Sequence, residues 1–186
     1  MSGRRVAGVL LLGLVLYLAV SMSPNLAGRA AAPAAVSSSS VLGRPSLSAD
    51  FINRVLVAYS SPAQGLGQAL YQESVTFGID DAVALAFFLH ESTMGRYGSA
   101  AVTHSLGNIV CAGFPRCSGR FRWYATWQEG FSDWFHLLST EYVPHGLTTI
   151  EKIIPVYAPA SENNVAAYIA AVKASVSAWR AGRVVV

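Results

Sequence analysis

The segment from Asp81 to Ser92 constrains the possible folds most strongly, because it is apolar on almost every face. Residues 83–89 are all hydrophobic, and Asp80 before them has the short polar side chain that favours a helix N-cap. A helix with so little polar surface belongs in the centre of a fold. Hydrophobic residues make up 53% of the chain and charged residues 12%, which excludes an intrinsically disordered protein.

Amphipathic patterns predict further helices around this one. Thr126 is followed three residues later by Glu129, the spacing of a capping box at a helix start. Residues 95–119 contain five glycines and no helical period, so we expect a loop-rich lobe there. A short hairpin is expected to pair residues 109–110 with residues 121–123. The predicted architecture is mainly α, with five or six helices around the central one and a small lobe beside them. The surrounding helices are expected to begin at Ser48, Ser61-Pro62, Thr126, Thr149 and Asn163 or Asn164.

The N-terminal residues have the pattern of an export segment. Arg4 and Arg5 precede an uncharged run rich in Leu and Val, and small residues follow it. Residues 1–23 are therefore predicted to be a cleaved signal peptide or a retained signal anchor. In the second case, residues 6–23 hold the protein in a membrane. Both alternatives place the rest of the chain outside the cytoplasm, secreted or at the cell surface.

The remainder of the chain is predicted to be a tether and one electrically neutral domain. Residues 24–46 are rich in Ala, Ser and Pro and are expected to be flexible, whereas residues 47–182 form the folded domain. Three of the 13 basic residues, Arg4, Arg5 and Arg29, lie near the N-terminus, which leaves ten basic and ten acidic residues elsewhere. Nucleic acid is therefore not an expected partner, since no basic stripe remains to neutralise phosphates.

The chain has two cysteines, Cys111 and Cys117. A structural zinc site needs four ligands, and the four histidines show no metal-ligand spacing, so neither a metal nor a cofactor is expected. In an exported protein, a disulfide between the two cysteines is favoured over two buried free thiols.

Glu91 is the most conspicuous candidate for a catalytic residue. It lies at the C-terminal end of the most hydrophobic helix, directly before a glycine-rich loop. Burial at such a position raises the pKa of a carboxyl group, as a general acid near neutral pH requires. The alternative is a glutamate that faces solvent at a helix end.

Four blocks of sequence resemble the glucosaminidase family of bacterial cell-wall hydrolases. The resemblance extends over residues 74–179, and the blocks occur in the family's order at approximately its spacing. They read His-Glu-Ser-Thr-Met-Gly (90–95), Ser-Leu-Gly-Asn-Ile (105–109), Phe-Arg-Trp-Tyr-Ala-Thr-Trp-Gln-Glu-Gly (121–130), and Tyr-Ala-Pro with a later Tyr-Ile pair (157–169).

The resemblance implies a lysozyme-like helical domain with the small loop and hairpin lobe across a groove. It also implies hydrolysis of the β-1,4 bond that follows N-acetylglucosamine in peptidoglycan or a related glycan. Glu91 matches the family's general acid, and Asn108 and Tyr124 match positions that line the groove. Trp123 and Tyr157 are further candidates for contact with substrate, and the enzyme is expected to be a monomer.

The chain departs from the family pattern in one respect. Many members carry a second acid in the hairpin, whereas residues 109–120 contain no Asp or Glu. Glu129 is better explained as a capping residue, and Asp133 is expected on an exposed helix face. We therefore predict substrate assistance, in which the 2-acetamido group of the sugar is the nucleophile. Attack by a water molecule that Tyr124 positions is the competing mechanism.

Two other functions are compatible with these residues. Muramidases and lytic transglycosylases of lysozyme-like fold also use one glutamate at a helix end but cut the other glycosidic bond. A catalytically inactive module that binds the cell wall is the non-enzymatic alternative. Fold alone does not choose among them.

Overall fold

The computed structural model describes residues 39–186, and this part of the chain is mainly helical. Two short antiparallel strands form a hairpin, and a π-helical turn with a 3₁₀ turn extends the fifth helix to residue 145. The helices are α1 (Ala49–Ala58), α2 (Gly67–Phe77), α3 (Asp81–Ser92), α4 (Ala100–Thr103), α5 (Trp127–Leu137), α6 (Ile150–Tyr157) and α7 (Val165–Arg180), and the strands are β1 (Cys117–Ser118) and β2 (Phe121–Arg122).

Helix α3 is the centre of the hydrophobic core, as its sequence predicts. Every residue from 81 to 88 is buried, and the Asp80 side chain caps the helix by accepting a hydrogen bond from the Ala82 amide at 2.8 Å. Phe87 packs on Trp134 of α5 at 5.3 Å between ring centroids and on Tyr168 of α7 at 5.7 Å. Burial of one such Phe side chain contributes about 1.5–3 kcal/mol to stability. The core therefore holds α3 between α5 and α7.

The predicted helix starts are confirmed where a side chain caps the backbone locally. Ser48 accepts a hydrogen bond from Phe51, Thr126 from Glu129, and Asn164 from Ala167. Each bond spans three residues, so the local sequence contains both partners.

The prediction that a helix begins at Ser61-Pro62 is wrong, because α2 begins only at Gly67. The Ser61 hydroxyl accepts a hydrogen bond from the Ala63 amide at 3.0 Å and donates one to the Met94 carbonyl at 2.7 Å. Ser61 is therefore anchored to the loop after α3, and the chain turns until it reaches Gly67. A Cβ on Gly67 would collide with the backbone of Ala49 in α1.

The loop-rich lobe predicted after residue 95 contains a hairpin that we call the hairpin lobe, residues 109–122. Strands β1 and β2 pair antiparallel, and Val110 forms an additional bridge to Phe121. The expected pairing of residues 109–110 with residues 121–123 is thus present, with β1 on the other side of β2. The expected disulfide between Cys111 and Cys117 is also present and ties the two ends of this small sheet together.

The folded domain begins earlier than residue 47, which corrects the predicted end of the tether. Ser40 forms a bridge with Thr149 and Leu42 with Ile79, and Val41 between them is completely buried. This strap binds the turn before α3 to the start of α6. The predicted export segment 1–23 and residues 24–38 of the tether lie outside the described residues. Among residues 39–186, no helix has both the length and the apolar character needed to cross a bilayer.

Candidate functional site

Glu91 lies at the wall of a cavity of about 370 Å³ between the helices and the hairpin lobe. We call it the Glu91 cavity. Glu91 at the end of α3 and Asn108 in the loop after α4 form one side, while Val110, Arg120 and Phe121 of the hairpin lobe form another. Residues 156–159 and 162–163, at the end of α6 and in the connection to α7, line the remaining side. Three parts of the chain that are distant in sequence therefore meet around one carboxyl group.

The Glu91 carboxyl group is partly buried and held in position by α7. The Tyr168 hydroxyl donates a hydrogen bond to Glu91 Oε1 at 2.7 Å. Tyr168 itself is fully buried, and its ring stacks on the His90 ring at 3.7 Å between centroids. Burial raises the pKa of Glu91 above its ordinary value, although hydrogen bonds from Tyr168 and Asn108 lower it in part. The site thus favours a carboxylic acid that retains its proton at a higher pH than a glutamate in water.

The four sequence blocks that carry the family resemblance contact one another around this cavity. Ser92 donates a hydrogen bond to the Leu106 carbonyl at 2.8 Å, which joins the first block to the second. The Tyr157 hydroxyl of the fourth block donates to the Gly107 carbonyl. The Arg122 amide of the third block donates to the carbonyl of Ile109 at 2.8 Å. The motifs therefore form one structural unit in spite of their separation in sequence.

Asn108 occupies a strained position that suits its residue type. Its φ is +48°, in the left-handed region that asparagine tolerates better than most side chains. Its amide nitrogen donates to the backbone carbonyl of Glu91 at 2.7 Å, while its Oδ1 is buried and has no hydrogen-bond partner among the described residues. Asn108 therefore connects the second block directly to the end of α3.

Replacing Asn108 is expected to separate the two roles of this residue. Asn108→Ala loses the hydrogen bond to Glu91 and places a Cβ residue at positive φ, so the free energy of unfolding should fall by about 2 kcal/mol. Asn108→Gly loses the same bond without the left-handed strain and should cost about 1 kcal/mol. Urea denaturation of both variants measures the difference. Equal losses would contradict the strain at this position.

Tyr157 lies in the Glu91 cavity, but the other two aromatic candidates do not. Tyr124 is only 2% exposed, and its hydroxyl donates to Asp133 Oδ2 rather than facing the cavity. Trp123 is stacked under the Arg116 guanidinium, 5.0 Å from its ring centroid, and is also absent from the cavity wall. Tyr124 and Trp123 therefore do not lie on the wall of the Glu91 cavity, because their immediate partners hold them elsewhere.

The two carboxylates considered from the sequence also lie outside the cavity. Asp133 was expected on an exposed helix face, but its side chain is mostly buried. It accepts hydrogen bonds from Tyr124 and from Arg122 Nη1, the latter at 2.8 Å. Glu129 accepts from the Ala125 amide at 3.0 Å and pairs with Arg116 at 3.2 Å, in agreement with a capping role. Neither is positioned to act on a substrate beside Glu91.

Two residues of the site, Tyr168 and Glu162, were not identified from the sequence. Tyr168 binds Glu91 from 77 positions along the chain, and no local pattern indicates such a contact. Arg120 and Glu162 both line the cavity and pair at 3.0 Å, although they are 42 positions apart. Arg120 belongs to a cluster of three arginines in residues 116–122 that the sequence shows, but nothing there distinguishes it from its neighbours. Among residues 39–186, Glu162 is the only carboxylate besides Glu91 on the cavity wall.

In the described part of the chain, no group of three or more His, Cys, Asp or Glu side chains is arranged to hold a metal ion. No known protein-family model matches the chain, and no curated protein sequence matches it significantly.

Proposed function

We propose that the protein is an extracytoplasmic peptidoglycan hydrolase of the glucosaminidase family, with a lysozyme-like fold and Glu91 as its general acid. The observation that carries the proposal is the buried, hydrogen-bonded carboxyl group of Glu91 on the wall of a cavity. The contacts among the four sequence blocks around this group support the family assignment. The substrate is a β-1,4-linked glycan that contains N-acetylglucosamine, cut on the reducing side of that sugar.

Glu91 starts the reaction by protonating the glycosidic oxygen. Burial raises its pKa and so favours the protonated carboxyl group, and Tyr168 fixes one of its oxygens. As the bond from C1 to the leaving oxygen breaks, the carbonyl oxygen of the 2-acetamido group bonds to C1. This bond closes a five-membered oxazolinium ring on the sugar. Water then adds to C1 and opens that ring, and the Glu91 carboxylate accepts a proton from the water. The products are a reducing N-acetylglucosamine end and a free hydroxyl on the next sugar.

The positions of the carboxylates near the cavity favour substrate assistance. A two-carboxylate mechanism needs partners about 5–5.5 Å apart for retention or about 6.5–9.5 Å apart for inversion. Glu129 and Asp133 are both held outside the cavity, and residues 109–120, where many family members carry the second acid, contain no Asp or Glu. A nucleophile from the substrate itself requires none of these groups. Attack by water that Tyr124 positions is disfavoured, since the hydroxyl of Tyr124 is bound to Asp133.

Analysis of the product ends tests this function directly. Purified peptidoglycan is digested with the protein, reduced with borohydride and examined by mass spectrometry. Reduced N-acetylglucosamine ends are the expected products. Reduced muramic acid ends would indicate a muramidase, and anhydromuramic ends a lytic transglycosylase. Binding to the wall without release of any fragment would indicate a binding module.

Tyr168→Phe is expected to shift the pH dependence of hydrolysis. The reaction needs protonated Glu91, so activity is lost as the pH rises through the pKa of this group. The hydrogen bond from Tyr168 lowers that pKa, and its removal should raise it and move the alkaline limb to higher pH. Profiles of kcat/KM against pH measure the shift. A limb that stays in place or moves to lower pH would contradict the assigned role. Tyr59→Phe, which removes a tyrosine hydroxyl bound to Val186, is the control.

A further inference from the structure

Arg120 is the only cationic side chain that lines the Glu91 cavity within residues 39–186. It occupies the two-residue turn between β1 and β2, and its Nη2 lies 3.0 Å from Oε2 of Glu162 on the other side of the cavity. The same wall carries two carboxyl groups, those of Glu91 and Glu162. Without Arg120, the described part of the cavity would present only acidic charge to a ligand.

The base of Arg120 is rigidly held, while its guanidinium group is accessible. The Arg120 carbonyl accepts a hydrogen bond from the Cys111 amide at 2.8 Å, and the disulfide links Cys111 to β1. The guanidinium group lies over the Phe121 ring, 5.6 Å from its centroid. The side chains of Arg120 and Glu162 remain 57% and 52% exposed. The backbone of Arg120 is therefore fixed in position, and its guanidinium group remains accessible from the cavity.

The ion pair with Glu162 is of a kind that a ligand readily replaces. Exposed salt bridges contribute only about 0–1 kcal/mol, because both charges stay well hydrated. A guanidinium group binds a carboxylate through two parallel hydrogen bonds, so a second carboxylate in the cavity competes on equal terms with Glu162. Glu162 is then the carboxylate that Arg120 binds when no ligand is present.

We propose that Arg120 selects glycans that carry a carboxylate over neutral polymers of N-acetylglucosamine. Arg120 exchanges Glu162 for a carboxylate of the bound strand, which is the lactyl carboxylate of muramic acid or a carboxylate of the attached peptide. This inference rests on the proposed function and names the substrate class of the same site. A neutral N-acetylglucosamine polymer offers no carboxylate to displace Glu162 and leaves the ion pair intact.

Binding measurements in the Glu91→Gln background test this selection without turnover. Three ligands are titrated by calorimetry: a neutral β-1,4-linked N-acetylglucosamine oligosaccharide, glycan strands with free lactyl carboxylates after removal of the peptides, and strands that keep their peptides. Arg120→Gln should weaken binding of a carboxylated strand about tenfold and leave the neutral oligosaccharide within about twofold. Glu162→Gln removes the competitor and should strengthen binding of the same strand.

Arg116→Gln is the matched control. Arg116 lies in the same hairpin lobe, forms an exposed ion pair with Glu129 at 3.2 Å and does not line the cavity. It should leave the affinity for all three ligands unchanged. Circular dichroism confirms that each variant is folded.

The outcomes separate this inference from the proposed function. A loss confined to the strands with free lactyl groups or to those with peptides supports the inference and identifies the carboxylate. An equal loss for the neutral and the carboxylated ligands, or no loss for any, overturns the selection by Arg120 while the hydrolase proposal stands. Failure of every glycan to bind the parent Glu91→Gln protein overturns both.

Discussion

Glu91→Gln is expected to reduce peptidoglycan hydrolysis about a hundredfold to ten-thousandfold while the protein remains folded, since general acid catalysis contributes about 10²–10⁴ to the rate. Glutamine has nearly the same shape as glutamic acid, and its carbonyl oxygen can still accept the hydrogen bond from Tyr168. It has no carboxyl proton to give to the leaving oxygen. The rate of release of reducing ends measures the effect, and the temperature of unfolding verifies the fold.

Glu129→Gln is the matched control for this prediction. Glu129 is another helical glutamate with hydrogen bonds of its own, but it lies outside the Glu91 cavity. Its substitution should leave hydrolysis within about twofold of wild type, as for a surface change away from the site. Loss of hydrolysis in a folded Glu129→Gln protein would contradict substrate assistance without a second carboxylate. Full activity of Glu91→Gln would remove Glu91 from the mechanism.

Of the substitutions proposed, Asp81→Asn is expected to change the free energy of unfolding most. Relative to wild type, this free energy should rise with pH. Asp81 is completely buried at the start of α3, where its Oδ1 accepts hydrogen bonds from the amides of Ser46 at 2.9 Å and Leu47 at 3.1 Å. Its Oδ2 is buried without a hydrogen-bond partner among the described residues. Burial, together with the neighbouring Asp80 carboxylate, raises the pKa of Asp81 to about 7.

The sign of the pH effect follows from this raised pKa. Below about pH 4, Asp81 is protonated in both the folded and the unfolded chain, so its ionisation does not change the free energy of unfolding. As the pH rises from 4 to 7, the unfolded chain releases this proton while the folded protein retains it, and the stability falls. One pKa unit corresponds to about 1.4 kcal/mol, so the cost approaches about 4 kcal/mol above pH 7. Asparagine has no such proton and therefore avoids this cost.

Urea denaturation at pH 4 and pH 8 measures the prediction. The free energy of unfolding of Asp81→Asn, relative to wild type, should rise by about 4 kcal/mol between the two pH values. Asp50→Asn, at an exposed position in the first turn of α1, removes the same formal charge from the surface and controls for net charge. A difference between Asp81→Asn and wild type that stays constant with pH would contradict a protonated Asp81 in the folded protein.

The central helix and most helix starts could be predicted from the sequence because their causes are local. The apolar residues of α3 leave no face for water, and the caps at Ser48, Thr126 and Asn164 join a side chain to a backbone amide three residues away. The disulfide closes a separation of only six positions. The exception was Ser61-Pro62, where a hydrogen bond to the distant Met94 carbonyl competes with the local helix pattern.

The position of Glu91 at a helix end, its apolar setting and the glycine-rich lobe beside it were determined by the sequence alone. Tertiary structure decided which groups surround it: Tyr168 binds its carboxyl group, Arg120 and Glu162 close the cavity, and Tyr124 is held by Asp133 instead. The physical reason is the distance along the chain over which each interaction acts. A helix cap or a hydrophobic period acts within a few residues, whereas these partners meet only when α3, α7 and the hairpin lobe pack together.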